Sequence, residues 1–511
     1  MKNIVIVGGG SAGWMTAATL IKCFPSKKIT LIESPEIPTV GVGESTIAQI
    51  REWQSLIDIK DEDFIPYCDA SYKLSIKFTD FYKKGESFHY PFGDPFLKGN
   101  ANQLNDWWFK KFAFPETPYS DYAVCHYPQM ALVLENKCFF NEKNIIPFDF
   151  KKHSAFHFDA TKFALWLRDN YCIPRGVQHI KEEIKTIEQD ENGIKSLNNT
   201  YKADLFIDCT GFKSLLLGQA LKEPFEDFKD LLPNNKAWAT HLPYTDKEKQ
   251  LVCYTNCTAY NNGWIWNIPL WSRIGTGYVY SDKFISDDDA LKEFQTYLGT
   301  KELNFKKIEM RTGLHRRLWV KNVCAIGLSA GFIEPLESNG LFSVHEFLHK
   351  LVRTLQRDKV SQWDRDNFTA VCKTLFNNFK EFVAMHYALS HRDDTPYWKS
   401  ILKKEWSSNL IDQIPAFGGG FIKMVYDRYH HYRFEPHEGI HCIAAGMHIG
   451  PTDIPSLIKH NYEPDLKFWK QQWEVAALIL NDRKDKWTKK IKYVKSLPAF
   501  LKMNFYERNS S

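Results

Sequence analysis

After Asn3, the run Ile4-Val5-Ile6-Val7 contains no polar position, the pattern of a short strand buried on both faces. A glycine-rich turn follows, then a helical pattern from about Trp14 to Cys23, stopped by Pro25. A second apolar run, Ile29–Ile32, closes on Glu33. Residues 60–150 are rich in aromatics, Pro and Gly and predict a mostly irregular region. Within it, Tyr72–Thr79 alternates apolar and polar positions, as a half-buried strand does. A β/α pattern returns near residue 155, with a helix over Thr161–Asn170 and strands over Ile184–Glu188 and Ala203–Ile207. The last of these ends in Asp208-Cys209-Thr210-Gly211, and a later strand, Val323–Ile326, ends in Gly327. Residues 250–282 read as a β-hairpin or meander. The final third is mostly helical, including Leu341–Gln356, Trp363–Ala384 and Leu466–Asn481.

These elements imply a nucleotide-binding module assembled from separated segments, with a lobe inserted and helices appended. Composition changes that picture at a few points. A chain of 511 residues favours two or three interlocked lobes over one core. Aromatics at 15% suit a protein that stacks a flat cofactor or an aromatic substrate, although an aromatic-rich core gives the same excess. The net charge of +5 is spread along the chain. Its most basic stretch, Arg483–Lys495, carries Trp487, Ile491 and Val494 at helical spacing. It therefore reads as the solvated face of a helix rather than a nucleic-acid site. No signal peptide is expected, since the chain opens on a strand pattern; it has no 18-residue apolar run, and the 11 cysteines form no CxxC pair. The expectation is a cytoplasmic protein with reduced thiols, no membrane or nucleic-acid partner and no metal ligands singled out.

Gly8-Gly9-Gly10-Ser11-Ala12-Gly13 fits G-x-G-x-x-G between a strand and a helix, with Glu33 twenty residues beyond Gly13. Gly8 permits the tight turn, Gly10 lets backbone approach a pyrophosphate, and Gly13 allows close helix–strand packing. The helix N-terminus offers free N–H groups to phosphates. Glu33 can accept hydrogen bonds from a ribose, and its charge would repel a 2′-phosphate. The fingerprint alone does not separate FAD from NAD. Gly418-Gly419-Gly420 follows Pro415 rather than a buried strand and reads as a loop, so no pyridine-nucleotide domain is evident. If the ligand is a flavin, its electrons come from elsewhere.

Gly263-Trp264-Ile265-Trp266-Asn267-Ile268-Pro269 carries W-x-W-x-I-P. This resembles the signature of flavin-dependent halogenases of the tryptophan-halogenase type. Gly8–Trp14, Val40–Thr46, Phe156–Ala160, Asp208–Gly211 and Gly327–Ser338 are also similar to segments of that family. The similarity runs, with gaps, over most of the chain. In the related single-component hydroxylases an Asp usually follows the glycine matched by Gly327, so Leu328 sides with the halogenases.

The resemblance implies an α/β fold. A Rossmann-like FAD-binding module of the flavin monooxygenase type would carry an inserted β-rich substrate lobe and a helical C-terminal region. Its segments would be 1–59 (FAD-binding βαβ), 60–150 (substrate-lobe insertion) and 151–240 (FAD module continued). After these come 241–320 (β-rich, carrying W-x-W-x-I-P), 321–356 (FAD and halide) and 357–511 (helical substrate cap). FAD contacts are expected from Gly8, Gly10, Ser11, Ala12, Gly13, Trp14, Glu33 and Ser34. Others follow at Val42, Gly43, Glu44, Ser45, Ile180, Gly327, Leu328 and Leu341. A W-x-W strand puts both indoles on one face. Alone that is two core aromatics; the resemblance sets Trp264 and Trp266 beside the flavin as shields.

Lys73 and Lys77 share one face of the predicted strand, where solvent exposure is the ordinary outcome. The family's Lys-x-x-x-Lys-Phe match makes Lys77 the catalytic lysine. Reduced FAD, dioxygen and halide (bromide or chloride) then yield hypohalous acid, which a lysine can hold beside the substrate by hydrogen bonding or as a haloamine. Glu337 falls on the family's essential glutamate, as polarising group or general base, although a carboxylate also suits a helix start. Unpaired N–H groups where the helix near Leu341 begins make an anion site. The resemblance makes Asn339 and Gly340 the halide contacts. The family commonly has Thr at the place of Asn339, so the choice between chloride and bromide stays open.

Tyr90-Pro91-Phe92-Gly93 resembles the family's His-Pro-Phe-Gly segment, with Tyr90 at the histidine position and His89 just before it. Tyr90, Phe92 and Ser338 are the expected substrate contacts. His441–Gly446 matches a helical landmark, but Tyr426–Gly439 lacks the Phe-Trp pair that tryptophan halogenases use to hold the amino-acid group. An indole or similar electron-rich arene without that group is therefore expected as substrate. A separate flavin reductase is the expected partner, and the protein is read as monomer or homodimer. The rival readings are a flavin-dependent hydroxylase and a non-catalytic flavoprotein.

Overall fold

Asn3–Val7 is the central strand of a six-stranded sheet in a computed structural model that describes residues 1–36, 43–96, 106–139, 145–357, 359–406, 440–450 and 466–507. The described chain divides into two compact units. One comprises residues 1–71, 155–243 and 270–380, and the other comprises 72–154, 244–269 and 381–511. In the first unit the strand order is Trp319–Val320, Val323–Ala325, Leu205–Asp208, Asn3–Val7, Lys28–Glu33, Gln178–Lys181. All neighbours pair in parallel except Trp319–Val320. This is the Rossmann-like arrangement expected for residues 3–33.

The first helix is longer than its apolar pattern predicts. It spans Ser11–Cys23 with Gly10 as N-cap, so Gly13, the last glycine of the fingerprint, lies inside its first turn. Gly13 to Ile21 are all buried, which explains a helix with almost no polar face. Its threonines spend their hydroxyls within the helix, Thr16 on Ala12 O (2.6 Å) and Thr19 on Met15 O (2.8 Å).

The predicted strand at Ile184–Glu188 is displaced. It runs Ile187–Asp190 and forms a hairpin with Gly193–Leu197, because Asn192-Gly193 supplies the turn. The strand that completes the main sheet is Gln178–Lys181, whose polar alternation reflects its edge position. The helix at Thr161–Asn170 begins at Ala160 and passes into a π-helix over Leu167–Cys172. Asp208 of the D-C-T-G segment is fully buried. It accepts from Thr210 N (3.0 Å), Thr210 Oγ1 (2.6 Å), Leu216 N (2.8 Å) and Leu217 N (2.9 Å), which caps the turn that follows the strand.

The second unit corrects the expectation of an irregular middle. Its strands Gly263–Pro269, Tyr254–Tyr260, Ser75–Thr79 and Ser87–Pro91 lie side by side in that order. Helices Asp106–Ala113, Asp121–His126 and Met130–Leu134 follow. The aromatics there are core: Trp107, Trp108, Phe109 and Tyr122 are buried. The C-terminal helix Leu466–Lys490 is not a purely solvated face either. Lys484 and Lys110 both pair with Asp121, and Trp487 is buried. Burial would raise the Asp121 carboxyl, but the two lysines outweigh it and hold it at about 2. Among the described residues no helix is long and apolar enough to cross a membrane. None of the eleven cysteines forms a disulfide.

Candidate active site

The glycine fingerprint forms a turn that only glycine tolerates at three places. Gly8 has φ +112°, and a Cβ on it would meet the Cys209 carbonyl. A Cβ on Gly9 would overlap the Glu33 carboxylate, and one on Gly13 would overlap the Gly8 carbonyl. Backbone N–H groups at the start of the Ser11–Cys23 helix are therefore open to close approach by a phosphate, with no side-chain cap competing for them. The residues present fit a dinucleotide. Glu33 is partly engaged: its Oε1 is 2.6 Å from His179 Nε2 and 4.0 Å from Arg168. The Trp14 indole is fully buried, edge-on to His179 at 5.2 Å, and its backbone N–H bonds to Gly10 O.

Several distant segments gather around this turn within the first unit. Ser11 Oγ donates to Ala160 O (3.3 Å). Gly43–Ser45 pairs antiparallel with Ala155–Asp159, matching Ser45 to His157. Gly327, at φ +75°, stands so close to Ala12 that an added Cβ would meet the Ala12 Cβ at 2.8 Å. Ser338 Oγ donates to Ser45 Oγ (3.1 Å). Ser34 follows the second strand, Ile180 sits beside Ile32 in the sheet, and Leu328 is half-buried. Val42 lies outside the described residues, as do Gly418–Gly420 and Tyr426–Gly439.

Glu337 ends the 3-10 turn Pro335–Glu337 and is 1% exposed. Ser338 then takes a left-handed conformation at φ +59°, which redirects the chain into the helix Gly340–Leu355. Asn339 is the N-cap residue but makes no side-chain cap bond, so the first-turn N–H groups of Gly340, Leu341 and Phe342 are not taken by it.

In the second unit, strand register separates the remaining candidates. Lys77 lies opposite His89 on one side and Asn256 on the other, and Asn256 lies opposite Asn267. Paired residues point to the same face, so these four make a polar face. Trp266 pairs with Cys257, which pairs with Phe78; Trp264 lies two residues away on that same side. Tyr90 pairs with Ile76 and belongs there too. The sheet thus puts Lys77 and His89 on one face, and Tyr90, Trp264 and Trp266 on the other. The two indoles do share a face, with centroids 6.1 Å apart.

Lys73 does not share a strand with Lys77. The predicted strand breaks at Leu74, whose N–H bonds to Cys253 O and whose carbonyl accepts from Phe92 N. Lys73 is fully buried, with its ammonium 4.9 Å over the Phe92 ring. Lys77 is half-buried.

His89 is the residue that sequence reasoning passes over in favour of Tyr90. Its Nδ1 is 3.0 Å from Ser75 Oγ, and its ring stands edge-on to Tyr254 at 5.1 Å. Burial, and then the charge of Lys77, pushes this imidazole down to about 3. The signal for it was the antiparallel alternation of two adjacent strands, which no single segment displays. His441–Gly446 is helical as predicted, within Ile440–Gly446, and a Cβ on Gly446 would overlap the Phe88 ring.

The sequence model of the tryptophan halogenase family matches residues 3–462. The chain is 34% identical over 435 residues to the tryptophan 6-halogenase SttH of Streptomyces toxytricini, covering 81% of this chain and 83% of that protein. Among solved structures, the apo structure of VirX1 superposes with a TM-score of 0.89 at 37% identity, covering 99% of this chain and 100% of that one. BrvH, a flavin-dependent halogenase from Brevundimonas sp. BAL3, gives a TM-score of 0.84 at 29% identity, covering 98% of this chain and 99% of that one.

Proposed function

The chain belongs to the tryptophan halogenase family, and from that premise we propose that it uses reduced FAD, dioxygen and halide to halogenate an indole or similar electron-rich arene. The hydroxylase reading has no support among these relatives. The observation that carries the proposal is the Ser338–Ser45 hydrogen bond of 3.1 Å, together with Gly327 against Ala12. These contacts tie the turn of the dinucleotide fingerprint to the segment that carries Glu337, Asn339 and Gly340.

Bound reduced FAD would supply, with dioxygen and halide, the hypohalous acid that the reaction consumes. The chain's own residues have the remaining tasks. Gly10, Ser11 and Ala12 would hold the pyrophosphate through backbone N–H groups, and Glu33 would accept from a ribose hydroxyl. Gly8 and Gly13 keep the loop close enough for that contact. The backbone N–H groups at Asn339 and Gly340, where this helix begins, would hold the halide, a role that backbone amides can fill whether Thr or Asn stands at 339. Lys77 would hold the oxidant by donating a hydrogen bond, and Glu337 would take the proton that the arene loses. Trp264 and Trp266 are assigned to shielding the flavin, and Tyr90, Phe92 and Ser338 to contacting the arene, on family position alone. A separate flavin reductase would supply the electrons.

The glycine turn gives a direct check on FAD. In Gly13→Ala the new methyl meets backbone that cannot swing aside. Overpacking of this kind costs about 1–3 kcal/mol, and each 1.4 kcal/mol is about tenfold in affinity. FAD affinity is expected to fall roughly tenfold to a hundredfold, measured by fluorescence titration. Unchanged affinity would mean that this turn does not carry the phosphates.

The substrate class is tested by a mass-spectrometric screen with FAD, a flavin reductase, and chloride or bromide in parallel. Halide-dependent mass gain on indole, exceeding that on free tryptophan by about tenfold or more, is expected for a site without partners for the amino-acid group. Preferred and regioselective turnover of free tryptophan would overturn that part of the reading. Hydroxylated product without halide would overturn the halogenase itself.

A further inference from the structure

The helix Gly340–Leu355 carries a second constellation that halogenation does not use. His345-Glu346-Phe347-Leu348-His349 spells H-E-x-x-H, and residues four apart on a helix share a face. Among the described residues, His345, Glu346 and His349 are the one group of three His, Cys, Asp or Glu side chains whose ligating atoms all lie within 4.8 Å of one another.

Two ring nitrogens of these histidines are unsatisfied. His345 is 1% exposed, and neither its Nδ1 nor the buried Nε2 of His349 has a hydrogen-bond partner. His345 Nδ1 stands 3.5 Å from Glu346 Oε1, an electrostatic contact too long for a good hydrogen bond. Buried ring nitrogens without partners are unfavourable, and they call for a ligand that accepts their lone pairs.

We infer that His345, Glu346 and His349 bind one divalent transition-metal ion of the zinc class, as a structural site on this helix. This goes beyond the halogenase reading and does not depend on it. Two imidazoles and one carboxylate suit zinc, cobalt, nickel or copper rather than magnesium or calcium, which prefer all-oxygen sets.

The two rings are 6.4 Å apart between centroids, at 82°. Closing both onto one ion at ~2.1 Å per nitrogen needs a movement of about 1 Å, which the half-buried His349 can supply. In H-E-x-x-H proteases the glutamate activates a metal-bound water in front of an open cleft. Here His345 is sealed in the core and Glu346 is itself within ligand range, so the ion would staple two turns of helix and would not cleave peptides.

The test uses the full-length, untagged protein stripped with a chelator and titrated with cobalt(II). The expected result is one cobalt per chain with visible d–d absorption, displaced by zinc and not by millimolar magnesium. Zinc should also raise the thermal midpoint. His349→Ala and Glu346→Gln change the two more exposed ligands, and a retained FAD affinity would report that each variant is folded. Each is expected to weaken cobalt binding by about tenfold to a hundredfold. Absence of stoichiometric cobalt, equal displacement by magnesium, or undiminished binding in both folded variants would overturn the site.

Discussion

Lys77→Met is expected to lower the rate of arene halogenation by at least about a thousandfold while leaving FAD affinity within about twofold. Methionine keeps the length and apolar stem of a half-buried side chain and removes only the ammonium. None of the residues proposed to hold FAD is altered by the substitution. The size of the effect follows from what the oxidant is. Hypohalous acid is small and reacts wherever it diffuses, so selectivity depends on holding it in place, and a fixed hydrogen-bond donor supplies that.

The polar sheet face suits the task. Because burial and the Lys77 charge keep His89 neutral down to about 3, no second cation forms beside the ammonium at working pH. His89 and Asn256 instead flank Lys77 as neutral groups. A trap for free hypohalous acid in the same assay should show that the variant still consumes halide and oxygen, with the oxidant escaping. Retention of more than about a tenth of wild-type product formation would remove Lys77 from the catalytic role.

Some of this architecture is legible in the sequence because its cause is local. Four consecutive apolar residues predict a buried strand, and Asn3–Val7 is one. Gly13 and Gly9 answer to Gly8 and to Glu33 on the next strand, whereas Gly8 also answers to the distant Cys209 carbonyl. The helix start is harder to read. Glycine disfavours helix, yet Ser11–Gly13 enter the helix because Gly10 caps it and the whole turn is packed.

Features set by distant pairing are not legible. Gln178–Lys181 reads as polar because it pairs on one side only. Lys73 and Lys77 look equivalent at a spacing of four, yet Leu74 is held between Cys253 and Phe92, and only Lys73 is fully buried. The same cause divides Tyr90 from His89. Family alignment favours Tyr90, whereas the register with Ser75–Thr79 brings His89 to Lys77. A one-residue change of register exchanges the two faces of a strand, so a motif match that ignores register cannot choose between neighbours.

Glu337→Gln is expected to reduce kcat by roughly a hundredfold to ten-thousandfold, with little change in KM for the arene or in FAD affinity. Glutamine has the shape of glutamate and cannot take a proton. Glu337 is 1% exposed at the end of a 3-10 turn, and Ser338 beyond it is fixed by Ser45. The amide therefore has little freedom to move away, and the loss is chemical rather than positional.

A buried carboxylate is also costly to desolvate, so its neutral isostere is expected to leave the thermal midpoint unchanged or higher. That pairing of outcomes separates catalysis from architecture. A residue that merely holds the turn would show a lower midpoint and weaker FAD binding when changed, with activity falling in proportion. A general base shows lost turnover in a protein that is equally stable. The pH profile adds a second sign, since a base that must be ionised gives an acidic limb in kcat, and Glu337→Gln should abolish that limb in its residual activity. A Glu337→Gln enzyme with near wild-type kcat would assign the carboxylate to the fold of the turn and leave proton removal to solvent.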